Sequence, residues 1–406
     1  MRIDRRSDLV EGECPPACSG PAFAGVEKAV EPVRHSPFGL IVGARCQDAQ
    51  ITVALQAVGI DNDPVETLCE LESECGFAAC RWARYDKNRG YTCVTAANRL
   101  VIGLISAVGR RSMKMVLTLI AGPHGASELP HLVSKVAAAS GITSAPVWLA
   151  TDEACDLVFE ASSSTAVEET VRSLVGSADI DALVQPFGGR RKNLLVADME
   201  STIIENEMLD ELADRVGLRP QISEITRRAM NGEIDFVSAL EARVALLAGM
   251  EERVLDEVAN HIRLTSGARA LVATMRAAGA FTALVSGGFG FFADQVAAGL
   301  GFDRAVSNRL DIVAGRIAGT IQRPIVTGKT KRQTLLTLAA ELGIPLDRTM
   351  AVGDGSNDLP MLAIAGLGVA FRAKPMVAAS ARFRIDHADL KGLLFAQGYR
   401  RDQILG

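Results

Sequence analysis

The sequence predicts an α/β protein: an open, doubly wound parallel sheet with an inserted helical cap over residues 191–406, preceded by a small α+β domain over 113–190. Three observations predict it. From Asn193 onward, short apolar strands, each followed by a small or acidic residue, alternate with amphipathic helices, as in a sheet covered on both faces. Between Asn206 and about His261 four helical stretches interrupt that alternation. Before Asn193 the elements follow a β-α-β-β-α-β order.

Taken in chain order, residues 1–112 remain unassigned. They hold Pro15-Pro16, the turn-rich Asp61 to Pro64 and few sustained helical or strand periods. Seven of the eight cysteines (Cys14, Cys18, Cys46, Cys69, Cys75, Cys80, Cys93) fall there, and the eighth is Cys155. A secreted disulfide framework has no support in the rest of the sequence, and Cys14/Cys18 with Cys75/Cys80 lack the paired short spacing of a zinc site. Clean patterns begin at Met113-Lys114-Met115. The first 112 residues are therefore either a segment upstream of the true start or a poorly ordered arm.

The small domain reads as strand Met115 to Ala121, helix Ala126 to Ser140, strands Val147 to Ala150 and Cys155 to Ala161, helix Ala166 to Val175 and strand Asp181 to Gln185. This is a ferredoxin-like order, found in domains that bind amino acids or dimerise. Arg190-Arg191-Lys192, after two glycines, reads as an exposed, solvated linker. In the third segment the strands are Leu194 to Ala197, Phe281 to Val285, Met350 to Val352 and Gly366 to Ala370. The cap spans about 206–265. Its apolar stripes run Met208, Leu209, Leu212, Val216 and Phe236, Leu240, Val244, Leu247.

Composition limits the function classes. With 48% hydrophobic and 22% charged residues the chain can bury a large core, and a net charge of -5 leaves no basic stripe for nucleic acid. No apolar run approaches the ~18 residues of a membrane span, so a soluble cytoplasmic protein is the expectation.

Four strand-end elements carry chemistry. Asp198-Met199-Glu200-Ser201-Thr202 places two carboxylates two residues apart after a buried strand, where they repel and call for a cation or a shared proton. A strand-end Asp can equally cap the next helix. Ser286-Gly287-Gly288 offers a hydroxyl and free backbone N–H groups at a helix start, suited to phosphate oxygens or simply to a tight turn. Lys331 can neutralise a transferring phosphoryl group, or face solvent with Lys329 and Arg332. Gly353-Asp354-Gly355-Ser356-Asn357-Asp358 offers hard oxygens suited to Mg²⁺, or an ordinary Asp/Gly turn.

In this order the four elements resemble the haloacid dehalogenase superfamily. Within it, Asp198 to Glu207, Arg227-Arg228-Ala229-Met230 with Phe236 to Val244, and Gly353 to Met361 resemble the phosphoserine phosphatases. The likeness runs from about Leu194 to Leu390. The domain from Met115 resembles the small ferredoxin-like (ACT-like) domain of bacterial members, and the resemblance does not extend to residues 1–112.

The resemblance implies a phosphoric monoester hydrolase that releases L-serine and phosphate from O-phospho-L-serine, the last step of serine biosynthesis. Asp198 would be the nucleophile, forming an aspartyl-phosphate, and Glu200 the general acid and base. Ser286, the Gly287 backbone and Lys331 would hold the phosphoryl oxygens, with Asn357 reaching the phosphate. Mg²⁺ would be held by the Asp198 and Asp354 carboxylates and the Glu200 backbone carbonyl, with Asp358 orienting that shell. Glu207 and Arg243 would recognise the ammonium and carboxylate of serine, a pairing that fits a zwitterion. The implied partner is the small-molecule substrate, with no nucleic acid or membrane, and a homodimer through the small domain is compatible.

One departure stands out: the family usually has Asp where this sequence has Glu200. The extra methylene displaces the carboxylate, and misplaced catalytic groups can cost about a hundredfold in rate. Two alternatives follow, a phosphatase for another small phosphorylated amino acid and a serine-sensing regulator whose phosphatase site is vestigial.

Overall fold

The computed structural model describes residues 9–13, 44–47, 50–54, 112–230 and 233–406, and divides into two units, Met1–Arg110 and Arg111–Gly406. In the first unit three short strands, β1 (Leu9–Glu13), β2 (Ala44–Gln47) and β3 (Gln50–Ala54), form an antiparallel sheet of order β1-β3-β2. Strands of four or five residues are too short to stand out as a sustained alternation. Apart from them, the expectations for residues 1–111, cysteines included, lie outside the described residues.

The second unit opens with β4 (Met113–Ala121), α1 (Leu129–Ala139), β5 (Val147–Ala150), β6 (Ala154–Ala161), α2 (Thr165–Val175) and β7 (Ile180–Pro186). The order β5-β6-β4-β7, with all neighbours antiparallel, is the ferredoxin-like sheet the sequence predicts. Alternating residues of β4 face opposite ways. Leu117 and Leu119 pack beneath the two helices with Leu129, Val133, Val136 and Leu157. Ile120, with Leu149, Ala154 and Leu183, instead joins the core of the following domain beside Leu393, Leu394 and Phe395. Both faces of the small sheet are thus covered within one chain.

Polar bonds fix this junction. The Asp181 carboxylate accepts backbone N–H bonds from Asp386 (2.8 Å), His387 (3.2 Å) and Ala388 (2.8 Å). Gln185 Nε2 donates to Ala396 O at 2.6 Å. The basic tripeptide is not the solvated linker its composition suggests. Arg190 pairs with the buried Asp156 at 2.6 Å, and Lys192 is buried with Nζ donating to Asp347 O (2.7 Å) and Gly189 O (3.2 Å). Only Arg191 of the three is exposed.

Beyond it, β8 (Leu194–Ala197), β9 (Phe281–Phe289), β10 (Arg304–Asn308), β13 (Thr349–Gly353), β14 (Leu367–Phe371) and β15 (Phe383–Ile385) form a six-stranded sheet. Every neighbouring pair is parallel, in the order β10-β9-β8-β13-β14-β15. In such a sheet the strand order reverses between the first strand, β8, and β13. Ligands of open α/β sheets bind at the carboxyl ends beside that switch point. Leu194, Val196, Ala283 and Ala351 pack on one face, and Leu195, Ala197, Leu284 and Met350 on the other. This two-sided burial explains the continuous apolar runs.

Four cap helices follow β8: α3 (Met208–Val216), α4 (Arg219–Met230), α5 (Phe236–Ala245) and α6 (Arg253–Ala259). Two connecting segments hold the cap, paired by Glu205 N–H to Arg263 O (2.8 Å) and Thr265 N–H to Ile203 O (3.0 Å). A hairpin the sequence reading passed over, β11 (Leu310–Val313) with β12 (Arg316–Ile321), joins the cap through Gly249 N–H to Ile317 O. The flanking helices are α7 (Ala268–Ala277), α8 (Gly290–Leu300), α9 (Gly328–Glu341), α10 (Leu359–Leu362), α11 (Pro375–Ser380) and α12 (Gly392–Ala396).

Candidate active site

Asp198 leaves β8 at the switch point in extended backbone (φ -68°, ψ 159°), and the chain then makes a wide turn closed by Ile204 N–H to Met199 O at 2.9 Å. Ser201 sits in left-handed backbone at φ 53° inside that turn. A β-branched or bulky residue would be strained there. The turn points Asp198 and Glu200 toward the same space.

Lys331, on the first turn of α9, is fully buried, and its ammonium bridges Asp198 Oδ1 at 2.6 Å and Asp358 Oδ1 at 2.7 Å. Thr327 starts α9 with a reciprocal capping box with Thr330, which fixes where Lys331 projects. Asp358 spends its second oxygen on Gly355 N–H at 2.9 Å. A side-chain carbon at Gly353 would lie 2.3 Å from Asp358 Cγ, so the glycine is needed for this approach. Asp354 accepts from the Thr202 hydroxyl at 3.3 Å.

Carboxylate oxygens of Asp198, Asp354 and Asp358 lie within 4.8 Å of one another, all three residues buried. Their charge is not balanced by the protein. Burial, then Asp358, holds the Asp198 carboxyl well above the usual carboxylate range, against the opposing pull of Lys331. Burial, then Asp358 and Glu207, pushes Asp354 up to about 6. Burial would lower the Lys331 ammonium, but Asp198 and Asp358 reverse this and raise it. Hard oxygens around excess negative charge fit a divalent cation better than they fit one another.

Glu200 Oε1 accepts from Met208 N–H, at the start of cap helix α3, at 2.8 Å. Its other oxygen faces Gly288, where an added side-chain carbon would come within 2.8 Å. Burial, then the nearby Glu207, raises the Glu200 carboxyl to about 8. Such a group holds a proton near neutrality and can both give and take one. The longer side chain therefore has a defined seat between cap and sheet.

Ser286 is buried within β9, and its Oγ accepts from Gly288 N–H at 2.9 Å. Asn357 lies across the opening: a side-chain carbon at Gly287 would be 4.0 Å from its Nδ2, and one at Gly355 would be 2.3 Å from its Oδ1. From the cap, Glu207 accepts from the Ser201 hydroxyl at 2.7 Å. Arg243 donates Nε–H to Ala239 O at 3.2 Å and feels the carboxylates of Asp210, Glu200 and Glu207. Phe236 reaches within 3.6 Å of a side-chain carbon placed at Gly287. Asp198, Glu200, Glu207, Arg243, Ser286, Gly287, Lys331, Asp354, Asn357 and Asp358 thus gather at one opening between cap and sheet.

Thr202, Ser201 and Asn308 were not singled out. The first two lie inside the Asp198 motif and could have been suspected; Asn308 carries no local signal. A separate open cavity of about 1010 Å³, lined by Asn193, Phe281 and Asp303, lies at the amino ends of the strands, away from these residues.

Comparison with known proteins agrees with the geometry. A model of the haloacid dehalogenase-like hydrolase family matches residues 195–363. A phosphoserine phosphatase of Streptomyces coelicolor is 41% identical over 226 residues, 56% of this chain and 55% of that protein. One from Lactococcus lactis is 43% identical over 203 residues, 50% of this chain and 94% of that protein. The crystal structure of a haloacid dehalogenase family hydrolase from Salmonella enterica superposes with a TM-score of 0.64 at 30% identity, covering 70% of this chain and 98% of that one. The chain spans about half the length of the first curated relatives it matches.

Proposed function

This chain belongs to the phosphoserine phosphatase family of the haloacid dehalogenase-like hydrolases, and from that premise we propose that it hydrolyses O-phospho-L-serine to L-serine and phosphate. The observation that carries the proposal is the buried Asp198–Lys331–Asp358 bridge with Asp354 beside it, placed at the switch point under a cap that contributes one acid and one arginine.

The Asp198 carboxylate attacks phosphorus in line, forming its acyl phosphate as the bond to the serine oxygen breaks. Glu200 gives its proton to that oxygen. Glu200 then takes a proton from water as the water attacks the aspartyl-phosphate, returning Asp198 and releasing phosphate. Lys331, Ser286, the Gly287 N–H and Asn357 hold the phosphoryl oxygens, so positioning and charge neutralisation supply the catalysis. Asp198, Asp354 and the Glu200 carbonyl would hold Mg²⁺, with Asp358 orienting them through Lys331 and Gly355. When bound, the cation would offset the carboxylate and phosphoryl charge. Glu207 and Arg243 select a zwitterion, the acid taking the ammonium and the guanidinium the carboxylate.

The deciding measurement is Mg²⁺-dependent phosphate release from phosphoserine, with phosphothreonine as comparison, by wild type and Asp198→Asn. Turnover that survives the substitution, or that ignores chelation of the metal, would refute the proposal. A wild type that binds serine but releases no phosphate would favour the serine-sensing alternative.

A further inference from the structure

Resting on that reading of the site, we propose that Asn308 is a positioning residue for phosphoryl transfer: its carboxamide sets the phosphate-holding bulge of β9 and ties that bulge to the helix that carries Lys331.

The register of the two strands creates the need for it. Val285 pairs with Val306 and Phe289 with Asn308, so four steps along β9 are matched by two along β10. Ser286, Gly287 and Gly288 therefore bulge out of the ladder, and their backbone groups lose the partners a regular strand would give them. Asn308, at 1% exposure, fills the gap with its side chain. Nδ2 donates to Gly287 O at 2.7 Å. Oδ1 accepts from Val326 N–H at 2.7 Å. The carbonyl and the N–H opposite it leave one orientation of the carboxamide.

Both bonds lead to the site. Fixing Gly287 O fixes the plane of the Gly287–Gly288 peptide, whose N–H donates to Ser286 Oγ at 2.9 Å. That bond occupies a lone pair of the hydroxyl and leaves its proton for the ligand. The Val326 bond holds the residue before Thr327, the capping residue of α9, and Lys331 lies one turn further on. One buried side chain thus spaces the hydroxyl and the ammonium that are to grip the same phosphoryl group. Asp at this position would lack the donor, Leu both groups, and Ser the reach.

The test uses full-length protein with Mg²⁺, comparing wild type with Asn308→Asp and Asn308→Ala. The second adds no charge and keeps the test available if the first does not fold. Three readouts are taken: kcat on phosphoserine, calorimetric binding of inorganic phosphate, and Mg²⁺ affinity. In both variants kcat is expected to fall about 10- to 100-fold and phosphate to bind about tenfold more weakly, the scale of loss for a misplaced catalytic group. Mg²⁺ affinity stays within about twofold, because neither bond of Asn308 touches Asp198 or Asp354. The activity of Asn308→Asp relative to wild type at the same pH should rise from about pH 8 to pH 5.5, as the introduced carboxyl gains a proton and with it a donor for Gly287 O.

Phosphate binding and kcat within about twofold of wild type in both variants would overturn the inference. So would a loss that carries Mg²⁺ affinity down with it, or an Asn308→Asp ratio flat in pH. A wild type that binds phosphate but does not turn over phosphoserine would refute the substrate, while weaker phosphate binding by the variants would still support Asn308.

Discussion

Two places in this molecule bury charge, and they do it in opposite ways. At the junction of the small domain with the parallel-sheet domain, each buried acid is matched by several bonds, although burial still raises the Asp181 carboxyl against them. Asp181 takes backbone N–H groups from three successive residues, and Asp156 takes Arg190 and the Thr118 hydroxyl. At the carboxyl ends of β8 and β13, three buried acids crowd together, Lys331 bridges only Asp198 and Asp358, and Asp198 and Asp354 are held above the usual carboxylate range. Removing a carboxylate from water without repaying it in bonds is unfavourable. The junction is the more finished structure, whereas the cleft keeps buried acids that bonds within the chain match less completely.

The largest effect should come from breaking the unfinished side. Asp198→Asn keeps the shape but removes the nucleophile, and kcat on phosphoserine should fall by roughly 10⁴-fold or more, the scale of losing a covalent nucleophile. The same change removes one of the mutually repelling acids, so the metal-free protein should melt no lower than wild type. A clearly lower melting temperature would mean that the acid cluster is structural, like the junction.

Glu200→Gln is next, with kcat reduced about 10²- to 10³-fold by loss of the acid and base, while Mg²⁺ affinity stays similar because the implied metal contact is the backbone carbonyl. It also has a pH signature. The folded protein holds the Glu200 proton up to about pH 8, against an ordinary value of 4.5. Between those values the native state binds more protons than the unfolded state, so the stability of metal-free protein falls as pH rises through that window. Melting curves from pH 4.5 to 8 in chelator should slope downward in wild type and less so in Glu200→Gln. Equal slopes would show that Glu200 is not held protonated.

Cutting the finished side should cost stability and leave activity in place. Asp181→Ala strands buried N–H groups of Asp386, His387 and Ala388 and should cost about 3 kcal/mol in denaturant unfolding, at ~1–3 kcal/mol per unsatisfied group with partial rehydration. Activity per folded molecule should stay near wild type. A fall in kcat with unchanged stability would overturn the assignment of the junction as structural.

How much of this was legible in the sequence divides along the same line. The strands of the parallel sheet and Asp198, Glu200, Ser286, Lys331 and Asp354 stand out because the candidate site is written in contiguous motifs at strand ends. The small domain stood out because β4 and β6 are long enough for their runs to be read. The junction did not. Lys192 looked like linker and is buried on Asp347 O, a partner 155 positions away. Asp181 looked like the start of a strand, and its partners are the backbone after β15, which no side-chain pattern announces. The sequence does not announce β15, which has three residues, or β10, which is short and mixed in polarity, and with β10 goes Asn308, whose partners are Gly287 on β9 and Val326.

The smallest expected effect concerns charge that is neither finished nor unfinished because water completes it. Arg215 and Glu257 join cap helices α3 and α6 at 2.5 Å, with side chains 56% and 42% exposed. Solvent screens the attraction, and ordering two long side chains offsets much of it, so the double-mutant cycle of Arg215→Ala and Glu257→Ala should return about 0.5 kcal/mol or less. Set beside Asp181 and Asp198, that pair isolates burial as the variable. A coupling energy as large as about 2 kcal/mol would show that ion-pair geometry alone carries weight in this fold. The contrast between junction and cleft would then have to be drawn from geometry rather than from how completely each buried acid is matched.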